Sequence, residues 1–340
     1  MFTRLTLSNF TVFESLDLTF SPGINVFVGA NGTGKTHLMK LLYALQCNYQ
    51  QDSAAISTKI ANVFCPKDRM IARLIHRATP VPISKIAARW NNSTKLILEI
   101  LPHPQNMLLS ERVVDVDFGS AVFIPPKEIL SWAAKFRTLY VKYEMEFEET
   151  YNDILVHAYG PPLKEPPQGV YAEIMESIQE IIGGSVTEEG EHFYIQRDDD
   201  PDQSYPMEMH LVAEGHRKLA LIWQLIRNGT LMEAKTLYWD EPEANLNPVL
   251  VQHVARILLM LADQGVQIFI ASHHFALLKE LELQKKKTPI TYFALDDAGE
   301  HGVTANVCSN YAAITPNKIA EEYLHIYDQE LAQTFGESES

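Results

Sequence analysis

Cysteine is scarce in this sequence: Cys47, Cys65 and Cys308 are the only three in 340 residues, far apart and without a C-x-x-C pair. That excludes a disulfide framework and argues against a zinc site. Equally absent is any run of about eighteen apolar residues, and Met1-Phe2-Thr3-Arg4-Leu5-Thr6-Leu7 alternates like a strand where a signal peptide would need a continuous apolar stretch. No membrane contact is expected, and a cytoplasmic location is. Basic residues are the third shortage. With 28 Lys and Arg against 43 Asp and Glu, the net charge is -15, so the surface as a whole repels phosphate backbones. Lys285-Lys286-Lys287 is the one compact basic run, and a solvated helix end or loop accounts for it. Direct DNA binding by this chain alone is therefore not expected.

What is present suits a large core, since 46% of the residues are hydrophobic. Residues 1 to 28 alternate apolar and polar positions and read as two or three strands, the last being Ile24-Asn25-Val26-Phe27-Val28. A glycine-rich loop follows, then apolar residues at helical spacing from His37 to Leu45. The loop, Gly29-Ala30-Asn31-Gly32-Thr33-Gly34-Lys35-Thr36, matches G-x-x-x-x-G-K-[ST] at every defined position, and strand, loop, helix is the context a P-loop requires. Its glycines turn backbone N–H groups toward phosphates. Lys35 would neutralise β/γ-phosphate oxygens, with Asn31, Gly32, Thr33 and Gly34 around them, and the Thr36 hydroxyl would coordinate Mg²⁺.

A P-loop needs a second carboxylate for the metal, and the apolar strand Leu237-Tyr238-Trp239 ends in Asp240-Glu241. Asp240 would hold the metal, and Glu241 would act as general base on a water attacking the γ-phosphate. A helix from Pro248 to about Asp263 and a strand Val266 to Ala271 come next, ending at Ser272-His273-His274.

Together the P-loop, the run Asp240-Glu241-Pro242-Glu243-Ala244-Asn245-Leu246-Asn247-Pro248 and Ser272-His273-His274 resemble ABC-type ATPases of the SMC, RecF and overcome-lysogenization-defect class. The resemblance implies ATP and Mg²⁺ as ligands, slow ATP hydrolysis, and two active sites that form only when two copies meet. It makes the run after Glu241 a D-loop at the dimer interface and His273 the γ-phosphate switch histidine. Ala213-Glu214-Gly215-His216-Arg217-Lys218 resembles the class's Ser-x-Gly-x-x-Lys signature, with Ala213 where a serine is expected. Gly215 and the helix start remain able to bind the partner's nucleotide. No Q-loop glutamine is evident where Ile124-Pro125-Pro126-Lys127-Glu128 stands.

The implied fold is α/β: a P-loop ABC ATPase head, mostly parallel sheet flanked by helices, plus an N-terminal antiparallel sheet. The ATPase core is expected at 1–50 and 206–320, an inserted and largely helical lid at 51–205, and a C-terminal helix and disordered tail at 321–340. Within the lid, Ile129, Trp132, Phe136, Tyr140, Tyr143, Phe147, Tyr151 and Ile154 recur at spacings of three and four. That spacing predicts one helix about 40 Å long whose aromatic stripe is either core or interface.

More narrowly, the sequence resembles stand-alone ATPases of bacterial anti-phage systems such as PARIS, Septu and retron-linked ones. This implies an ATP-gated switch that pairs with itself and controls a separate effector, expected to be a nuclease. The 67 residues after His273 leave no room for a Toprim-type nuclease in this chain. The alternatives are a RecF-like DNA-repair ATPase that binds duplex ends, an ATP-bound scaffold with little turnover, and, least, a small-molecule P-loop kinase.

Overall fold

The computed structural model describes residues 1–336 apart from 49–51, 92–93, 103–106, 114–118, 144, 200–204, 298 and 300–301. The expected tail beyond 336 lies outside the described residues. Strands β1 (Phe2–Phe10), β2 (Phe13–Thr19) and β3 (Ile24–Gly29) lead through the glycine loop into α1 (Lys35–Asn48). Helix α2 (Ser53–Phe64) starts where the Asp52 side chain accepts from Ala55 N. Next come β4 (Ser84–Trp90), β5 (Lys95–Ile100), β6 (Met107–Val113), β7 (Ser120–Ile124), α3 (Ala133–Lys142), α4 (Glu149–Ala158) and α5 (Val170–Ile182). A small meander of β8 (Gly184–Glu189), β9 (His192–Arg197) and β10 (Met207–Glu208) precedes α6 (Glu214–Arg227), α7 (Thr230–Glu233) and β11 (Ala234–Asp240). The chain continues as α8 (Pro248–Asp263), β12 (Gln267–Ser272), α9 (Phe275–Gln284), β13 (Ile290–Asp297), β14 (Val303–Cys308) and α10 (Lys318–Gly336).

The central sheet has the order β14-β13-β3-β12-β11-β7, parallel throughout except for the antiparallel edge strand β14. Both faces of this sheet are covered, so its strands are apolar at consecutive positions. Ile24, Val26, Leu237, Trp239, Ile268 and Ile270 point to one core, built with α6, α8 and α9. Their neighbours Phe27, Tyr238, Phe269 and Phe293 point to the other, shared with α1, α2 and the antiparallel sheet. On that second face Phe293, Phe27, Phe269, Tyr238 and Phe123 contact one another in sequence across five strands, with ring centroids 5.1 to 6.3 Å apart. Such pairs add about 0.5–1.5 kcal/mol each beyond area burial, and they fix the register in which β3 and β11 deliver their loops to one edge.

The expected head architecture is present, but the expected domain boundaries need correction. Strands β4 to β6 extend the antiparallel sheet, in the order β2-β1-β4-β5-β6, and β7 pairs in parallel with β11 at the edge of the central sheet. Strands β4 to β7 therefore belong to the core sheets and not to a lid. Sequence distance hid this: β4 buries every second residue against β1, while its flanking prolines read as loop. What remains, α3 to α5 with β8 to β10, shares a continuous core with α6 through Ile154, Leu155, Ile174, Val186 and Phe193.

The single 40 Å helix is likewise replaced by two, since α3 ends at Lys142 and α4 begins at Glu149. The stripe divides accordingly. Phe136 and Tyr151 are buried and joined through Phe147, with ring centroids 5.4 and 5.0 Å apart, whereas Trp132 and Tyr143 are exposed.

Candidate nucleotide site

Strand β3 is buried between β12 and β13, and its carboxyl end opens into the P-loop. Gly34 takes φ 85°, and a Cβ there would come within 2.6 Å of the Phe13 ring and 2.7 Å of Val12, so the β1–β2 turn seats the loop closely. Gly32 also has positive φ, at 86°, but a Cβ would meet nothing within 4 Å, leaving a backbone cradle open in front of the α1 N-terminus. Asn31 is at the exposed rim, and Thr33 is buried with its hydroxyl donating to the Ala30 carbonyl at 2.9 Å. Lys35 Nζ folds back to the Gly29 and Ala30 carbonyls at 2.8 and 2.9 Å. Burial lowers its pKa, and the nearby carboxylates of Glu241, Asp240 and Glu243 act in the opposite direction.

The strand β11 brings Asp240 beneath α1, where Thr36 Oγ1 donates to Asp240 Oδ2 at 2.8 Å. Burial pushes the Asp240 carboxyl up to about 6. Its second oxygen, Oδ1, is buried without a hydrogen-bond partner. A buried carboxylate oxygen with no donor, beside a hydroxyl, fits a hard divalent cation. Thr36 and Asp240 would hold Mg²⁺, which when bound would offset charge on the β- and γ-phosphates.

Glu241 sits at φ 47°, a left-handed conformation that costs a non-glycine residue about 1–3 kcal/mol and clusters at functional sites. Its backbone is held at both ends. The Glu241 N–H donates to the Ala271 carbonyl at 3.0 Å, and Lys218 Nζ donates to the Glu241 carbonyl at 3.2 Å. The Glu241 carboxylate thereby faces the end of β12, with Oε1 3.7 Å from His273 Nδ1. His274 instead donates its backbone N–H to Ser272 Oγ at 3.1 Å and begins α9, so His273 is the histidine placed at the site. Asn247 caps α8, accepting from Leu250 N at 2.9 Å with Pro248 at the first helical position, which ends the run after Glu241.

Gly215 does not line this chain's own P-loop. It is buried in the first turn of α6 against the run after Glu241, where a Cβ would come within 2.8 Å of Leu246 and 3.1 Å of the Asn245 carbonyl. Ala213 precedes α6 with no side-chain cap. At the place of the missing glutamine, Glu128 Oε1 pairs with Arg217 Nη1 of α6 at 2.5 Å and also accepts from Ser131 Oγ, while Glu128 Oε2 accepts from Ser131 N.

The burial of three polar residues went unrecognised in the sequence. Lys218 is one. Glu243 accepts from Ser272 Oγ at 2.7 Å and has its pKa raised by burial. Lys40, one turn beyond the P-loop, pairs with Glu148 at the start of α4. A lysine inside the apolar run Leu38-Met39-Lys40-Leu41-Leu42 was the available signal for the last.

Comparison with known proteins agrees with this geometry. A family model described as "AAA domain, putative AbiEii toxin, Type IV TA system" matches residues 116–279, and a second, described as "AAA domain", matches residues 4–56. The DNA replication and repair protein RecF of Ligilactobacillus salivarius is 21% identical over 321 residues, covering 84% of this chain and 80% of that protein. RecF of Klebsiella pneumoniae is 51% identical, but over only 43 residues, 13% of this chain and 12% of that one. Among solved structures, an Smc head bound to the C-terminal winged-helix domain of ScpA superposes with TM-score 0.57 at 13% identity, covering 92% of this chain and 98% of that one. An Smc head with an extended coiled coil, bound to the C-terminal domain of ScpA derived from Pyrococcus furiosus, gives 0.54 at 13% identity over 96% and 98%. The chain has the fold of these Smc heads, and the comparisons taken together support an ABC-type ATPase of the SMC/RecF class. The two class features expected from sequence, a P-loop at the head of α1 and an acidic pair at the end of β11, converge through the Thr36–Asp240 bond.

Proposed function

We propose that the chain is an ATP-hydrolysing switch in which two copies close around Mg·ATP and hydrolysis releases them. The observation that carries this reading is the convergence at one sheet edge of four elements. These are an open P-loop cradle, the Thr36–Asp240 pair with its unpartnered oxygen, the left-handed Glu241, and His273 beside it. Lys35 and the loop amides bind and orient the phosphates. Glu241 accepts the proton of the attacking water, and His273 donates to the γ-phosphate and holds the Glu241 carboxylate in line. Gly215 and the first turn of α6 lie apart from their own P-loop and serve the nucleotide of the partner copy. Alanine at 213 removes one hydroxyl contact there and favours slow turnover.

The partner-dependent site is tested by measuring ATP turnover against protein concentration. Specific activity rises with concentration and then saturates if two copies complete each site. Constant specific activity down to nanomolar protein contradicts it.

We infer further that the nucleotide state is read by a separate effector, a nuclease, in anti-phage defence; the description of the matched family model, a toxin of a toxin–antitoxin system, supports that setting. A second reading, a RecF-like role in DNA repair, is favoured by the RecF relative aligned over 80% of its length. Salt-sensitive, ATP-dependent duplex binding by the isolated chain selects the second. The net charge of -15 favours the first.

A further inference from the structure

The His273 ring has little to hold it. Its side chain is 49% exposed, and Nδ1 stands 3.7 Å from Glu241 Oε1, beyond hydrogen-bond reach. The main chain on either side of His273 therefore aims the ring, and that main chain is tied to a single hydroxyl. Ser272, fully buried as the last residue of β12, accepts the His274 N–H on Oγ at 3.1 Å and donates from the same oxygen to Glu243 Oε1 at 2.7 Å. A serine hydroxyl has one proton to give, so Glu243 orients it, and its bond to the amide two residues on closes a tight turn around His273.

Glu243 is itself fixed from the other side. It belongs to the run after Glu241, where the Leu246 N–H donates to the Glu243 carbonyl at 3.1 Å and the Glu241 N–H donates to the Ala271 carbonyl at 3.0 Å. The segment of the candidate base and the segment of the candidate switch histidine are thus joined twice, once through the backbone and once through the Glu243–Ser272 bond.

Packing does not account for a carboxylate here. Glu243 is 4% exposed, its Oε2 has no hydrogen-bond partner, and neither has His274 Nδ1 in the adjoining turn. Burial raises the Glu243 pKa. An apolar side chain would fill the space without leaving a buried oxygen unpaired, whereas it could not accept from Ser272. The charge of Glu243 also bears on Lys218, whose pKa burial lowers while the carboxylates of Glu243, Glu214, Glu241 and Asp240 act against it.

We propose that Glu243 is a positioning residue which, through the Ser272 hydroxyl, fixes the turn that carries His273 and so sets the histidine against Glu241 at the nucleotide edge. This rests on the roles given above to Glu241 and His273.

Ser272→Ala is the mildest probe, since it deletes the hydroxyl and almost no volume. It should lower kcat about tenfold while ATP affinity, measured by calorimetry, stays within about threefold of the wild type. The His273 Hε1 proton resonance, assigned by its loss in His273→Gln, should move toward that of an unstructured histidine before any nucleotide is added. Glu243→Ala should do the same, and the two changes together should be no worse than the slower single variant, because both remove one bond. Glu243→Gln, whose amide oxygen still accepts from Ser272, should keep kcat within about threefold of the wild type. A Ser272→Ala protein with wild-type kcat and an unmoved His273 resonance overturns the positioning role. So does a Glu243→Gln protein as slow as Glu243→Ala, which would make the residue a countercharge to Lys218. A His273→Gln protein with wild-type kcat overturns instead the role given to His273 in the proposed function, and the inference with it.

Discussion

Lys218 Nζ donates to the main-chain carbonyl of Glu241 at 3.2 Å, so a buried lysine of α6 pins the left-handed turn that aims the Glu241 carboxylate. The helix that would contact the partner's nucleotide is thus mechanically joined to this copy's own candidate base. Lys218→Met should leave ATP affinity within about threefold and lower kcat by at least about tenfold, equivalent to about 1.4 kcal/mol of transition-state stabilisation. Because burial lowers the Lys218 pKa, an apolar replacement should not reduce the melting temperature. Unchanged kcat contradicts a positioning role.

Asp240 links the site to pH. Burial raises its carboxyl from 3.8 to about 6, so the folded state holds a proton that the unfolded state has lost between those values. Stability therefore falls as pH rises through this window, by on the order of 3 kcal/mol when ionisation is complete. Without metal, Asp240→Asn should melt above the wild type at pH 7, and the gap should close as pH falls toward 4. The same variant should lose the stabilisation that ATP with Mg²⁺ gives the wild type. A variant less stable than wild type at pH 7 contradicts the assignment.

The contact of Gly215 with the run after Glu241 gives a third expectation. An added Cβ presses on the Asn245 carbonyl and Leu246, so Gly215→Ala should displace this run without touching the P-loop. ATP binding by the monomer should persist, measured by calorimetry, while turnover falls about tenfold. Loss of binding instead would place Gly215 in its own chain's nucleotide site.

Much of the site was legible in the sequence because its chemistry is local. The P-loop is one contiguous octapeptide, and Asp240-Glu241 and His273 each end an apolar strand, so parallel strand order alone brings them to one edge. Of the two adjacent histidines, His273 has its Nδ1 3.7 Å from Glu241, whereas His274 begins α9. Non-local pairing was not legible. β4 joins β1, and β7 joins β11 across more than a hundred residues, through segments whose prolines and short strands resemble loops. The aromatic spacing from Trp132 to Tyr151 was read as one helix because periodicity does not register a break when the next helix resumes in phase. The burial of Lys218 and Glu243, both inside quoted motifs, was missed since a charged residue among polar neighbours gives no sign of burial until its partners are placed; Lys40 was missed although the apolar run around it marked it.

The central claim is nucleotide-driven pairing, and sedimentation equilibrium of Glu241→Gln tests it most directly. The amide fills the space of the carboxylate but cannot accept the water's proton, so ATP should accumulate uncleaved. The account predicts a monomer without nucleotide, a dimer or larger assembly with ATP and Mg²⁺, and a monomer again when Lys35→Ala is added to remove the phosphate-binding cation. An assembly state that is the same with and without ATP, in a protein shown by calorimetry to bind it, would contradict the account.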